Sequence, residues 1–184
     1  MKANPYFALA LITMLSPPKA FANSVAPAPA KLGISRFVEV EPGFARGGRP
    51  SEADVRALAA RGYKTVVSLR HGTLEGEWVR SAGMEFIQIP MDSGPFGAPA
   101  PSEAQVRTFL AAVGDPAKRP VFVHCKRGRD RTGVMVALYR VARNGWSAEQ
   151  AIAEMEERGI RPQYQAYRRY VRNFDPGTMA AESE

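Results

Sequence analysis

A lone cysteine, Cys125, stands where the apolar run Val121-Phe122-Val123-His124 gives way to the loop Lys126-Arg127-Gly128-Arg129-Asp130-Arg131, and Thr132-Gly133 then opens a long apolar stretch. A strand, a tight loop and a helix start in that order make a cup for an anion. The loop N–H groups converge, and the helix dipole adds about half a positive charge. A cysteine at the bottom of such a cup is held as a thiolate, the nucleophilic form of the side chain. Arg131, six positions after the cysteine, offers a planar fork that grips two phosphate oxygens. This is equipment for moving a phosphoryl group onto sulfur. Cys125 is the candidate nucleophile and Arg131 the candidate clamp. Lys126, Arg127, Gly128, Arg129, Asp130 and Thr132 are candidates for holding the substrate. The Thr132 hydroxyl is also placed to donate to the sulfur and help the thiolate leave in a second half-reaction. His124 precedes the cup and is assigned a supporting role, anchoring the loop through backbone hydrogen bonds.

A thiolate that displaces an alkoxide or phenoxide needs a proton donor for the departing oxygen, and a positioned carboxylic acid contributes about 10²–10⁴-fold. Two aspartates compete for this role. Asp92 follows a strand and begins a Gly/Pro-rich loop, and Asp130 lies beside the clamp. His71 reads as a solvated loop histidine and Ser93 as a turn residue. No metal is expected. The chain has two histidines and one cysteine, His124 and Cys125 are adjacent, and no further ligand cluster is visible. No other cofactor is implied.

The elements that must position these groups alternate along the chain. Residues 35–41 read as an edge strand, 43–50 as a loop, and Ser51 with Asp54 as a capping box opening a helix that ends at Gly62. Residues 65–69 read as a buried strand, 71–76 as a loop, 86–90 as a strand and 91–101 as a turn-rich segment. Ser102 with Gln105 caps a helix carrying Val106, Phe109, Leu110 and Val113 on one side. The strand 121–123 and the loop lead to a helix from Thr132 to about Arg143, apolar nearly all round and hence central. Ser147 with Gln150 caps another helix, and Pro162 begins a last one. Strands alternating with helices predict an α/β fold, a central, mainly parallel sheet flanked by helices, with the ligand site at the carboxyl ends of the strands.

The 184 residues suit one domain. Met1-Lys2, an apolar stretch to Leu15 and the small-x-small Ala20-Phe21-Ala22 have the layout of a secretory signal peptide over residues 1–22. Residues 23–34 read as a flexible lead-in, 35–174 as the catalytic domain and 175–184 as a loose C-terminal tail. A periplasmic or secreted protein is expected, a monomer with no stable membrane insertion once the signal is cleaved. A single unpaired cysteine in an exported chain marks reactivity rather than a disulfide. The net charge of +7, or +5 without Lys2 and Lys19, suits attraction of anionic substrates. No nucleic-acid motif accompanies it, so no nucleic-acid partner is expected.

The segment from His124 to Gly133 resembles the loop of the cysteine-dependent protein tyrosine phosphatase superfamily, His-Cys-x5-Arg-Ser/Thr. It is most similar to the atypical dual-specificity group of plants, fungi and bacteria. Phe44-Ala45-Arg46-Gly47-Gly48-Arg49-Pro50-Ser51, the run Thr-Val-Val-Ser-Leu-Arg from Thr65, and Gly145-Trp146-Ser147 extend the resemblance over about residues 36–174. It implies the cysteine-phosphatase fold and hydrolysis of phosphate monoesters through a cysteinyl-phosphate. Protein phosphotyrosine, with dual specificity, is the expected substrate. An inositol polyphosphate or phosphoinositide is the alternative, because basic residues at the Lys126 and Arg129 positions meet additional phosphates in the lipid and inositol enzymes. It also implies that Asp92 occupies the movable acid loop, while some lipid and bacterial tyrosine phosphatases place the acid at the Asp130 position. A module that binds phosphate without turnover is the non-enzymatic reading, and Cys125, Arg131 and the candidate acids together argue against it.

Overall fold

The computed structural model describes residues 31–72 and 74–180. The expected signal segment, the first part of the lead-in and the last four residues lie outside them. Five strands form one sheet in the order β1-β2-β5-β3-β4. They are β1 (Val38–Glu41), β2 (Phe44–Gly47), β3 (Thr65–Ser68), β4 (Glu85–Gln88) and β5 (Val121–His124). β1 is an antiparallel edge, and all other pairings are parallel. The helices are α1 (Glu52–Ala60), α2 (Leu74–Ser81), α3 (Glu103–Gly114), α4 (Asp130–Asn144), α5 (Ala148–Glu157), α6 (Gln165–Arg172) and α7 (Gly177–Ala180).

The strand that delivers Cys125 is the middle one, and side-chain alternation splits it between two cores. Val121 and Val123 pack with residues of α3, α4, α5 and α6 on one face. Phe122 packs with Val55 and Leu58 of α1 and Val79 of α2 on the other. Burial on both faces explains why β5 reads as a continuous apolar run. Every residue of α4 from Asp130 to Tyr139 is buried, as its all-round apolar sequence predicts. The capping boxes at Ser51/Asp54, Ser102/Gln105 and Ser147/Gln150 are all formed.

Several expectations are corrected. The expected loop 43–50 contains β2, fully buried beside β5; its arginine and glycine hid a strand that lacks alternation. The expected loop 71–76 gives way to α2 at Leu74. Gly76 within that helix is a packing requirement, since a Cβ would come within 2.8 Å of the Phe86 ring. The last helix begins at Gln165, later than Pro162. The lead-in docks before residue 35: Ile34 is buried, and the Gly33 N–H donates to Asp54 Oδ1 at 2.6 Å. Within the expected loose tail, α7 is tied to α3 by Arg107, whose guanidinium donates to the carbonyls of Thr178 and Met179, each at 2.8 Å.

Among the described residues no helix is long and apolar enough to cross a membrane.

Candidate active site

At the carboxyl end of β5 the chain turns sharply into α4. Gly128 makes the turn with φ +68°, and a Cβ there would lie 2.4–2.6 Å from the backbone of Gly47 and Gly48. Only glycine serves, because the left-handed conformation and the contact with the end of β2 coincide at one residue. From behind, the buried Arg46 of β2 donates from Nη2 to the Gly128 carbonyl at 3.1 Å. Burial lowers the Arg46 guanidinium to about 10, so it stays charged at neutral pH.

Cys125 lies at the floor, 3% exposed. Burial pushes its thiol up. The Thr132 hydroxyl, the Thr132 N–H, the Arg131 charge and the Arg127 N–H outweigh that and hold it below the ordinary thiol value. The Thr132 hydroxyl is buried beside the sulfur with no other hydrogen-bond partner among the described residues, so it is free to turn toward the thiolate it helps to hold down. A conventional hydrogen bond to protein oxygen would have competed with that role. Thr132→Ala is therefore expected to raise the Cys125 pKa and move the ascending limb of the kcat/KM–pH profile to higher pH. Stopped-flow titration of the thiolate absorbance would check it, and an unmoved limb would assign Thr132 to helix capping alone.

Arg131 is buried, and its Nη1 donates to the carbonyls of Leu69 and Met91, both at 3.0 Å. Those two bonds fix the guanidinium plane and leave Nε and Nη2 for a ligand. His124 is fully buried, its Nδ1 3.3 Å from the Cys125 carbonyl. That oxygen can only accept, so Nδ1 carries the proton. Burial lowers His124 to about 4, against the opposing pull of the Cys125 carbonyl and of Glu75. The ring is neutral at physiological pH and works as a strut, not a base. Its Nε2 lies 4.0 Å from Glu75 Oε1. Glu75, a buried residue in the first turn of α2, is held by Arg70 at 2.8 Å and Ser68 at 3.3 Å, with Arg49 Nε at 3.6 Å.

The cup above Cys125 has a volume of about 260 Å³. Ser93, Gly94 and Pro95 line it from one loop, Lys126, Arg127 and Asp130 from the phosphate loop, and Arg161 from the turn before α6. Lys126 and Arg127 thus line the cup. Arg129 is absent from the lining and turns toward Asp130, 3.6 Å away, and Gly159, 3.7 Å from its Cδ. Gly128 shapes the loop without facing the cup. Arg161 takes the place expected for Arg129. Asp130 holds it, accepting the Arg161 N–H at 2.9 Å and Nε at 3.0 Å, and Arg161 Nη2 donates to the Tyr164 hydroxyl at 2.6 Å. Both oxygens of Asp130 are therefore engaged in positioning a cation.

Asp92 does not line the cup. Its side chain is 70% exposed, with Oδ1 2.9 Å from His71 Nε2. Its loop is fastened to the α6 region at three carbonyls, which accept from Tyr167 (Asp92 O, 3.3 Å), Tyr164 (Gly94 O, 3.2 Å) and Gln163 (Pro95 O, 2.9 Å). The root of that loop is the Met91 carbonyl gripped by Arg131, so Asp92 sits one residue from the clamp. Sequence reasoning missed Arg46, Glu75, Arg70 and Arg161 as site residues. A larger cavity of about 440 Å³, lined mainly by α6, α7 and the segment between them, contains none of these groups. Among the described residues no cluster of histidine, cysteine, aspartate and glutamate is arranged to hold a metal ion.

A buried, activated cysteine below a fixed arginine, at the end of the central strand of a mainly parallel sheet, is the arrangement of the cysteine-phosphatase fold. Residues 24–173 match the model of the family described as "DSP-PTPase phosphatase fused to NAD+ Kinase", and the chain belongs to that family. It is 34% identical over 110 residues to the probable chloroplastic NAD kinase 2 of Oryza sativa subsp. japonica, covering 55% of this chain and 11% of that protein. It is 29% identical over 122 residues to the dual specificity protein phosphatase TpbA of Pseudomonas aeruginosa (strain UCBPP-PA14), covering 66% of this chain and 53% of TpbA. It is also 29% identical over 107 residues to the inositol diphosphatase DSP1 of Oryza sativa subsp. japonica, covering 56% and 48%. The chain thus spans about a tenth of the first relative and about half of the other two. A crystal structure of P. aeruginosa TpbA superposes with a TM-score of 0.65 at 26% identity, covering 78% of this chain and 87% of that one. The catalytic core of SIW14 from S. cerevisiae shares the fold, with a TM-score of 0.68 at 20% identity over 79% and 89% of the two chains.

Proposed function

We propose that this chain hydrolyses phosphate monoesters through a cysteinyl-phosphate on Cys125, with protein phosphotyrosine as substrate and tolerance for phosphoserine and phosphothreonine. The observation that carries this reading is the Cys125 thiol, held below its ordinary value at the floor of a cup whose clamp is already oriented. The likeness to TpbA supports the substrate class, TpbA having been solved with pTyr bound. In the first half-reaction the sulfur attacks phosphorus, and the P–O bond to the leaving group breaks as Arg131 and the loop N–H groups bind the equatorial oxygens. In the second, water attacks phosphorus and the S–P bond breaks, with Thr132 stabilising the departing thiolate. The basic start, apolar stretch and Ala20-Phe21-Ala22 of the first 22 residues support export to the periplasm or beyond, where the substrates are met.

One observation favours a second reading. Four cations, Lys126, Arg127, Arg131 and Arg161, line the cup against one carboxylate, Asp130, and the Cys125 thiolate, which suits a polyphosphorylated inositol. A partly exposed charge pair at 4 Å interacts by roughly 4 kcal/mol at an effective dielectric near 20, before salt reduces it. A surviving 1.4 kcal/mol is about tenfold in selectivity. The test is turnover of a phosphotyrosine peptide and a polyphosphorylated inositol, in the presence of chelator, by the wild type and by Lys126→Ala/Arg161→Ala. The phosphotyrosine reading expects faster wild-type turnover of the peptide, and similar losses of about tenfold on both substrates in the variant. A selective, salt-steep loss on the inositol with the peptide spared transfers the assignment.

A further inference from the structure

The phosphate loop has two sides. On one, the N–H groups of Arg127 and Thr132 support the Cys125 thiolate. On the other, its carbonyls meet guanidiniums: Arg36 Nη1 lies 3.5 Å from the Arg127 oxygen and Arg46 Nη2 lies 3.1 Å from the Gly128 oxygen. Behind the loop opens a separate cavity of about 230 Å³, walled by Arg36, Arg46, Arg158, Phe37 and Glu157.

This cavity is short of negative charge. Arg46 is 2% exposed and forms no ion pair among the described residues. Glu154, the carboxylate whose charge most supports it, pairs with Arg140 at 3.3 Å. Arg158, the second guanidinium, also has no ion-pair partner among the described residues, and neither has Glu157. Arg36, the third, occupies the left-handed region with φ 53°, a conformation that costs a non-glycine residue energy and recurs where function demands a fixed direction. A buried cation lacking a carboxylate is costly. Guanidinium forks converging on one opening match a tetrahedral oxyanion in charge and geometry.

We propose that this rear cavity is a second anion site, distinct from the cup of Cys125, which takes a free oxyanion of the size of inorganic phosphate between Arg36, Arg46 and Arg158. Glu157 at its wall disfavours a polyanion and sets the preference for a small one. The site is coupled to the loop. Arg36 and Arg46 divide their donors between the anion and the carbonyls of Arg127 and Gly128, so filling the rear draws on the bonds that shape the front.

The probe is sodium sulfate, titrated at constant ionic strength into the Arg131→Ala variant, whose front clamp is gone, and followed by calorimetry and by the arginine Nε–Hε resonances. The expected result is one saturable site, weakened about tenfold or more when Arg158→Glu is added, since a charge is reversed at contact distance. The same titration of the wild-type chain, with a non-hydrolysable phosphonate analogue of a phosphotyrosine peptide filling the front cup and too large for the rear cavity, gives the same site without relying on the clamp variant. A non-saturable response in both proteins, or an isotherm indifferent to Arg158→Glu, overturns the proposal. The coupling has its own readout. Sulfate inhibition of aryl phosphate hydrolysis should carry a noncompetitive component that Arg158→Glu removes, and purely competitive inhibition in the wild type overturns it.

Discussion

Cys125→Ser is expected to lower kcat on any phosphate monoester by at least about 10⁴-fold, the range reached when a nucleophile is deleted, while phosphate-ester binding survives. The reason lies in what the cup retains. The serine hydroxyl would inherit the Thr132 hydroxyl, the N–H groups of Arg127 and Thr132 and the Arg131 charge. Those interactions do not ionise an alcohol at neutral pH. The anion site stays intact and the reaction stops. Arg131→Ala is expected to behave differently, losing binding and turnover together. It removes the fork and also orphans the Leu69 and Met91 carbonyls that its Nη1 joins, so the strand end and the acid loop both lose their tether. Arg131→Lys should rescue little, because an ammonium cannot hold two carbonyls and two phosphate oxygens in one plane. Equilibrium binding of a phosphotyrosine peptide, measured beside single-turnover kinetics, separates the two variants. Robust hydrolysis by Cys125→Ser would remove the cysteinyl-phosphate from the mechanism.

The parts of this site that were legible in the sequence are those written locally. Cys125, Arg131 and Thr132 lie within one loop and one helix start, and their spacing carries their geometry. The three capping boxes likewise need only four consecutive residues each. Distant charged residues were not legible. Glu75 reaches the back of His124 from a stretch that Gly76 made look like a loop. Arg46 is a charged residue inside a fully buried strand, which no hydrophobic period announces. Arg161 arrives from a turn 30 residues beyond the phosphate loop, and its position depends on Asp130, whose carboxylate from sequence alone read as a rival acid or a substrate contact. The fold class survived such errors because strand and helix alternation is a coarse signal, spread over many residues. The assignment of Arg129 to the cup did not, since the direction of one side chain is set by its neighbours.

That same ambiguity decides the general acid. Asp130 lines the cup, but both its oxygens accept from Arg161. Asp92 is off the cup, paired with His71 at the surface, yet its backbone adjoins the carbonyl that Arg131 grips. We propose Asp92 as the acid, its carboxyl leaving His71 to reach the departing oxygen, while Asp130 positions Arg161. Asp92→Asn is then expected to lose about 10²–10⁴-fold in kcat on a phosphotyrosine peptide or alkyl phosphate, because the leaving oxygen must depart as an anion unless it is protonated. On an activated aryl phosphate, whose phenolate departs without a proton, the same variant should keep most of its rate. Asp130→Asn should show no such dependence on the leaving group. Its loss, about tenfold or less, should instead appear in KM, through a loosened Arg161. A plot of log kcat against leaving-group pKa reads the difference directly, steep for Asp92→Asn and shallow for both the wild type and Asp130→Asn. The reverse pattern would give the acid to Asp130 and leave Asp92 as the surface partner of His71 that it is in this structure.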